Sequence, residues 1–143
     1  MRYSLGILKP DCIKKDMVEK VCDILRNNRF HIVAKKQFRF EQADVDYIYE
    51  RCQNSDFFEG LSEFLKSGDS VVLIVENCSE DAIEKLNSVV GHTNPKLAKS
   101  GTVRKLGENV RYNLMHSTAN ESTFWKEISH LFSQEELSKI GCE

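Results

Sequence analysis

His116 and Glu127 are the residues whose types and spacing could together do covalent chemistry. The histidine lies in Tyr112-Asn113-Leu114-Met115-His116-Ser117-Thr118, where a polar Asn and a His bracket two large apolar residues. Such a stretch reads as a short buried strand, Asn113 to His116, whose apolar residues anchor the core while Asn113 and His116 reach a cleft. A histidine with one ring nitrogen held by a carboxylate presents the other as a nucleophile or general base near neutral pH. Glu127, inside the next predicted helix, is the candidate holder. A lone histidine is also commonly a satisfied structural residue, so the pair does not decide the matter alone.

The residues around it suggest an anion. The chain carries neither G-x-x-x-x-G-K-[ST] nor G-x-G-x-x-G, so neither of the usual glycine-rich phosphate cradles is present. It offers isolated donors instead: Lys9 at a strand end, Thr93, Lys96, Lys99 and Arg104 in a long loop, and Asn113. Converging near the histidine, they would hold a polyphosphate by charge-assisted bonds while His116 attacks its terminal phosphorus. Lys9 and Arg104 read equally well as solvated surface charges. Tyr49, Phe57, Leu61 and Val110 are most economically core residues, with base stacking as the alternative. No cluster of carboxylates accompanies these donors, so the chain itself offers no evident metal site, and a divalent cation would be expected to arrive on the phosphates.

These side chains must be positioned by the elements that the pattern predicts. Tyr3 to Leu8 reads as a strand stopped by Pro10, which cannot donate to a ladder. Asp16 and Glu19 resemble a cap for a helix carrying Met17, Val18, Val21, Cys22, Ile24 and Leu25. Phe30 to Phe40 reads as a second strand. An inserted helical pair spans about 42–66, its second helix capped by Asp56 and Glu59. Val71 to Val75 is a central strand, covered on both faces. Ser79 opens a helix that ends at Gly91, and the loop of about 92–111 has the length usually associated with function. After the strand at His116 come a helix with Phe124, Ile128, Leu131 and Phe132 on one face and a short helix capped by Ser133 and Glu136. With the helical pair set aside, the order is β-α-β-β-α-β, an α+β ferredoxin-like antiparallel sheet with its first and third strands central and its helices on one face.

Bulk properties narrow the class. At 143 residues the chain is the size of one domain, expected to span 1–143. Charged residues make up 29%, hydrophobic ones 41%, and the net charge is −2, which leaves no general attraction for a nucleic acid backbone. Five scattered cysteines without a C-x-x-C pair imply reduced thiols and a cytoplasmic location. The strand-like N-terminus leaves no room for a signal peptide, and no apolar run approaches a membrane span.

Six ordered stretches make the pattern specific: Leu8-Lys9-Pro10-Asp11, Phe57-Phe58-Glu59-Gly60-Leu61, Ser67-Gly68, Gly91-His92-Thr93-Asn94-Pro95, Ser100-Gly101-Thr102-Val103-Arg104 and Asn113-Leu114-Met115-His116. In this order and at these intervals the chain closely resembles the nucleoside diphosphate kinases, from about Tyr3 to Phe132. The resemblance implies transfer of a γ-phosphate between nucleotides, by a ping-pong mechanism through a phosphohistidine, with Mg2+. It implies that His116 is the nucleophile and Glu127 its holder. Lys9, Tyr49, Thr93, Arg104 and Asn113 would hold phosphate or sugar, and Phe57, Leu61 and Val110 would border the base. A stacked base is accepted whatever its identity, so broad specificity follows. The partners implied are nucleoside triphosphates and diphosphates and further copies of the chain, as a hexamer or a tetramer built from dimers.

The chain departs from the family pattern in three places. Asn87 stands where an Arg is usual, Ser117-Thr118-Ala119 replaces Gly-Ser-Asp, and the stretch from Arg104 to Asn113 is one residue shorter. A missing guanidinium predicts a weaker hold on phosphate by roughly ten-fold, unless Lys85, Lys99 or Arg111 replaces it. Ser117 is expected to crowd the backbone beside the phosphohistidine. Two other readings remain: a weakly active regulatory or interaction module of the same family, and a ferredoxin-like ligand- or RNA-binding domain.

Overall fold

The computed structural model describes residues 1–140. Cys142 lies outside them; Cys12, Cys22, Cys52 and Cys78 are free thiols. In chain order the elements are β1 (Tyr3–Leu8), α1 (Pro10–Lys14), α2 (Val18–Asn27), β2 (His31–Phe38), α3 (Gln42–Ile48), α4 (Phe58–Lys66), β3 (Ser70–Glu76), α5 (Ala82–Val90), β4 (Met115–Ser117), α6 (Glu121–Leu131) and α7 (Gln134–Ile140). Short 3-10 turns occupy Glu50–Cys52 and Arg104–Leu106. The strands form one antiparallel sheet in the order β2-β3-β1-β4, so β1 and β3 are central, as the ferredoxin-like order requires.

Alternation along the central strands builds two cores rather than one. Leu5 and Ile7 of β1 and Val72 and Ile74 of β3 pack with Val45, Leu61, Phe64, Leu65, Phe124, Ile128 and Leu131. Leu8, Leu73 and Val75 face the other way, onto Val21, Cys22 and Leu25 of α2 and Leu86, Val89 and Val90 of α5. Helices therefore cover both faces, not one. The inserted pair and the C-terminal helices hide the face that α2 and α5 leave open, which is why β3 is apolar from Val71 to Val75. Each buried aliphatic side chain contributes about 1.5–3 kcal/mol relative to exposure.

Several local expectations shift. Pro10 ends the strand but also starts α1, where a residue without an N–H costs nothing at the first helical position. Asp16 does not cap α2. It sits at φ 54 and closes the turn after α1 through its N–H to the Ile13 carbonyl, 3.0 Å. At α4, Asp56 and Glu59 make no side-chain cap, and the helix is held by the burial of Leu61, Phe64 and Leu65. Asp81, rather than Ser79, caps α5, accepting from Ile83 N and Glu84 N at 3.0 and 3.1 Å. Ser133 and Glu136 do form the reciprocal cap of α7. Asn113 and Leu114 are not strand: β4 begins at Met115, because Leu114 takes a φ of 77.

Candidate active site

His116 sits in the middle of β4, paired with Ile7 of β1. Its Nε2 lies 2.9 Å from Glu127 Oε2, and the Thr118 hydroxyl donates to the other oxygen of the same carboxylate. Glu127 is brought there by α6, whose first turn is capped by Asn120 accepting from Thr123 N at 2.9 Å. Glu127 is buried and His116 is partly open. A carboxylate only accepts, so this contact favours the proton on Nε2 and leaves the Nδ1 lone pair for chemistry. Tyr49 flanks the ring, with centroids 5.3 Å apart.

The cationic donors gather on the same cavity. The Lys9 ammonium, at the junction of β1 and α1, donates to Asn113 Oδ1 at 2.5 Å and to the Arg111 carbonyl at 3.0 Å. Burial lowers its pKa from the usual lysine value to about 8, against the pull of Asp11. The Asn113 amide donates onward to the Thr93 carbonyl at 2.9 Å and the Val110 carbonyl at 3.2 Å. Arg104 reaches the Met115 carbonyl through Nε and the Gly91 carbonyl through Nη1, both at 3.1 Å. Burial also pulls the Arg104 guanidinium below its ordinary pKa. The long loop is thus tied to β4 and to the end of α5, where Gly91 takes a φ of 93. Lys9 and Arg104 are not solvated surface charges. Lys96 and Lys99 do not line the cavity.

The cavity has a volume of about 610 Å³ and is lined by Lys9, Tyr49, Phe57, Leu61, Thr93, Arg104, Val110, Asn113 and His116, with Glu127 directly behind the histidine. Phe57 and Val110 are 53% and 59% exposed, so the core reading fails for both. They flank an apolar mouth. Leu61 and Tyr49 are buried enough to belong to the core as well as to the cavity wall. Tyr49 keeps a buried hydroxyl without a partner among the described residues, and burial raises its pKa.

Three lining residues escaped the sequence reading, Cys52, Asn109 and Tyr112, and Arg111, named there only as a possible replacement for the missing guanidinium, is also a wall of the cavity. Asn109 accepts from the N–H groups of Arg111 and Tyr112, both at 2.9 Å, a turn role that Asn in a loop commonly signals. The Arg111 guanidinium lies over Gly60 of α4, where a Cβ would come within 2.5 Å of Nη2. No sequence pattern announces that contact, since Gly60 and Arg111 belong to distant segments.

The departures also acquire positions. Asn87 Oδ1 accepts from the Ser117 hydroxyl at 2.6 Å, and neither residue lines the cavity. Ser117 points across the sheet from His116, as alternation along β4 dictates, toward Asn87 of α5. Lys85 pairs with Glu80 at 3.4 Å. Of the three cations that might replace the missing guanidinium, Arg111 alone is a cavity residue.

A family model for nucleoside diphosphate kinase matches residues 2–137. The chain belongs to that family. A nucleoside diphosphate kinase of Nitratiruptor sp. is 33% identical over 138 residues, covering 96% of this chain and 99% of that protein. One from Helicobacter pylori is 34% identical over 135 residues, covering 94% and 97%. Among solved structures, the Aquifex aeolicus nucleoside diphosphate kinase superposes with a TM-score of 0.88 at 29% identity, covering 94% of this chain and 97% of that one. The Halobacterium salinarum nucleoside diphosphate kinase, solved in complex with CDP, shares the fold with a TM-score of 0.88 at 24% identity, covering 94% and 89%. The chain is accordingly a phosphotransferase enzyme with the family's ferredoxin-like fold.

Among the described residues, no group of three or more His, Cys, Asp or Glu side chains could hold a metal ion. The charged side chains lining the cavity are Lys9, Arg104 and Arg111, a set suited to phosphate oxygens. Among the described residues, no helix is long and apolar enough to cross a membrane.

Proposed function

We propose that the enzyme moves the γ-phosphate of a nucleoside triphosphate to a nucleoside diphosphate in two half-reactions at one site. In the first, the His116 Nδ1 lone pair attacks the γ-phosphorus, a P–N bond forms, and the bond to the β-phosphate oxygen breaks. The nucleoside diphosphate leaves with that electron pair. In the second, a terminal oxygen of another nucleoside diphosphate attacks the same phosphorus and the P–N bond breaks. The observation that carries this reading is the His116–Glu127 contact at the wall of a cavity ringed by Lys9, Arg104, Thr93 and Asn113. Phosphoryl transfer needs positioning and charge neutralisation more than covalent help, and these residues supply both.

Throughout the cycle Glu127 keeps the Nε2 proton in place. Lys9, Arg104, Thr93, Asn113 and Tyr49 hold phosphate and sugar, and Phe57, Leu61 and Val110 border the base. Magnesium comes in on the phosphates as part of the substrate, and nothing in the cavity's donor set competes with them for it. The exposed Phe57 and Val110 at the cavity offer a base a stacking and apolar surface, which supports broad base specificity. The whole chain works as one unit, in the cytoplasm, within a homo-oligomer built from dimers. Initial rates with ATP and GDP test the reading. Parallel double-reciprocal lines are expected when one nucleotide is varied at several levels of the other, and intersecting lines would exclude it. A transfer rate barely above background would favour the regulatory module instead.

A further inference from the structure

Asn113 and His116 face one cavity although three positions separate them. In a regular strand side chains alternate, and residues an odd number apart point to opposite faces. Something must break the phase between them. Leu114 does so. It is a non-glycine residue at φ 77, and Met115 N–H reaches the Asn113 carbonyl at 3.0 Å, which closes a γ-turn centred on Leu114. The phase break is visible in the packing, because the consecutive residues Leu114 and Met115 are buried in the same core beside α5.

A positive φ strains a branched side chain and persists only where the surroundings over-determine it. Two contacts hold both sides of this residue. The Leu114 carbonyl accepts from Lys9 N–H at 2.9 Å, and the Leu114 N–H donates to Asp11 Oδ2 at 3.0 Å. Asp11 is 6% exposed, and its other oxygen, Oδ1, is buried without a partner among the described residues. Burial disfavours this carboxylate, while the Lys9 charge and the backbone N–H groups of Leu114, Asp11 and Cys12 favour it, and of these backbone donors Leu114 is the one that lies outside α1.

We propose that Asp11 is a positioning residue for phosphoryl transfer, which holds the Leu114 turn so that Asn113 meets Lys9 in the cavity that His116 faces. The proposal rests on the function proposed above, but its geometric half does not. Without the Asp11 acceptor, Leu114 relaxes toward negative φ, Asn113 turns away, and the Lys9 ammonium loses the Oδ1 partner that fixes it for the phosphates. His116, held separately by β1 and Glu127, stays where it is.

The test compares two substitutions in the full chain. Asp11→Asn keeps an acceptor oxygen for the Leu114 amide; Asp11→Leu fills similar space without one. Three quantities are read: single-turnover phosphorylation by ATP with magnesium, ADP affinity by calorimetry, and hydrogen exchange of the Leu114 amide. Asp11→Leu is expected to lower rate and affinity by roughly ten-fold or more, the loss of one charge-assisted bond, and to speed exchange at Leu114. Asp11→Asn should restore rate and affinity to within about three-fold of the parent at pH 7. Parental affinity and slow exchange in Asp11→Leu would overturn the proposal. So would an Asp11→Asn protein as impaired as Asp11→Leu, since the charge beside Lys9 would then matter and the acceptor would not. Should Asp11→Leu fail to fold, Asp11→Ser, too short to reach the amide, is read the same way. If the parent itself takes no phosphate, the proposed function falls, while ADP affinity and Leu114 exchange still judge the role of Asp11.

Discussion

Replacing Glu127 by Ala removes the carboxylate that meets both His116 Nε2 and the Thr118 hydroxyl. A hydrogen bond to a charged group contributes about 1.5–3 kcal/mol, and the His116 contact is of this kind, made to a carboxylate only 2% exposed. Losing it should slow phosphoenzyme formation by roughly ten- to 150-fold, since about 1.4 kcal/mol is a factor of ten. The Thr118 hydroxyl would be left buried, at a further cost to stability of about 1–3 kcal/mol. Glu127→Gln separates the two effects. Its amide oxygen still accepts from Nε2–H and its NH2 group can meet the Thr118 oxygen, so the tautomer survives and the rate should fall by about ten-fold or less. Quenched-flow mixing with ATP and magnesium measures the rate, and thermal unfolding measures the stability. A Glu127→Ala enzyme phosphorylated within three-fold of the parental rate would refute the holding role, whatever happened to its melting temperature.

Lys9 predicts a pH dependence. Its folded pKa of about 8 lies below the ordinary lysine value, so between these values the unfolded chain binds more protons and stability contributed by this group rises with pH. Nucleotide binding should respond in the opposite sense, because a deprotonated amine offers phosphate no charge, and kcat/KM should decline above about pH 8. A profile still flat well above that pH would contradict it. Asn87→Arg is expected to give no ten-fold gain, because Asn87 bonds Ser117 away from the cavity; kcat/KM with GDP checks this. Arg111→Gly should weaken ADP binding several-fold with little effect on melting, whereas unchanged calorimetry would remove Arg111 from the site. Cys52 lines the cavity while burial pushes the Cys12 thiol up to about 12, so ADP should shield Cys52 from alkylation at neutral pH and Cys12 should stay unmodified throughout.

Much of the architecture was legible because apolar periodicity is dictated by burial. Val72 and Ile74 alternate with Leu73 and Val75 between two cores, so the run marked a central strand. The helix ends were less legible, because Ser79, Asp81 and Asp56 are all competent caps and only tertiary packing selects among them. Lys9, Phe57, Leu61, Thr93, Arg104, Asn113 and His116 lie in motifs legible in the sequence, and the fold brings them to one cavity, whereas Cys52, Asn109 and Tyr112 carried no such signal. What could not be read were contacts between distant segments without a local signature: the Arg111 guanidinium over Gly60, the Asn87–Ser117 bond and the Asp11 acceptor behind Leu114. Leu114 was hidden for a further reason, since a leucine carries no hint of positive φ and propensity alone assigned it to a strand.

The central claim is a covalent phosphate on His116, and intact-mass spectrometry of the protein after incubation with ATP and magnesium tests it most directly. The account predicts the gain of one phosphoryl group, labile to acid, stable to alkali and discharged by GDP, and its loss in His116→Ala. Retention of the label in His116→Ala, or its appearance on His31, His92 or His130, would contradict it.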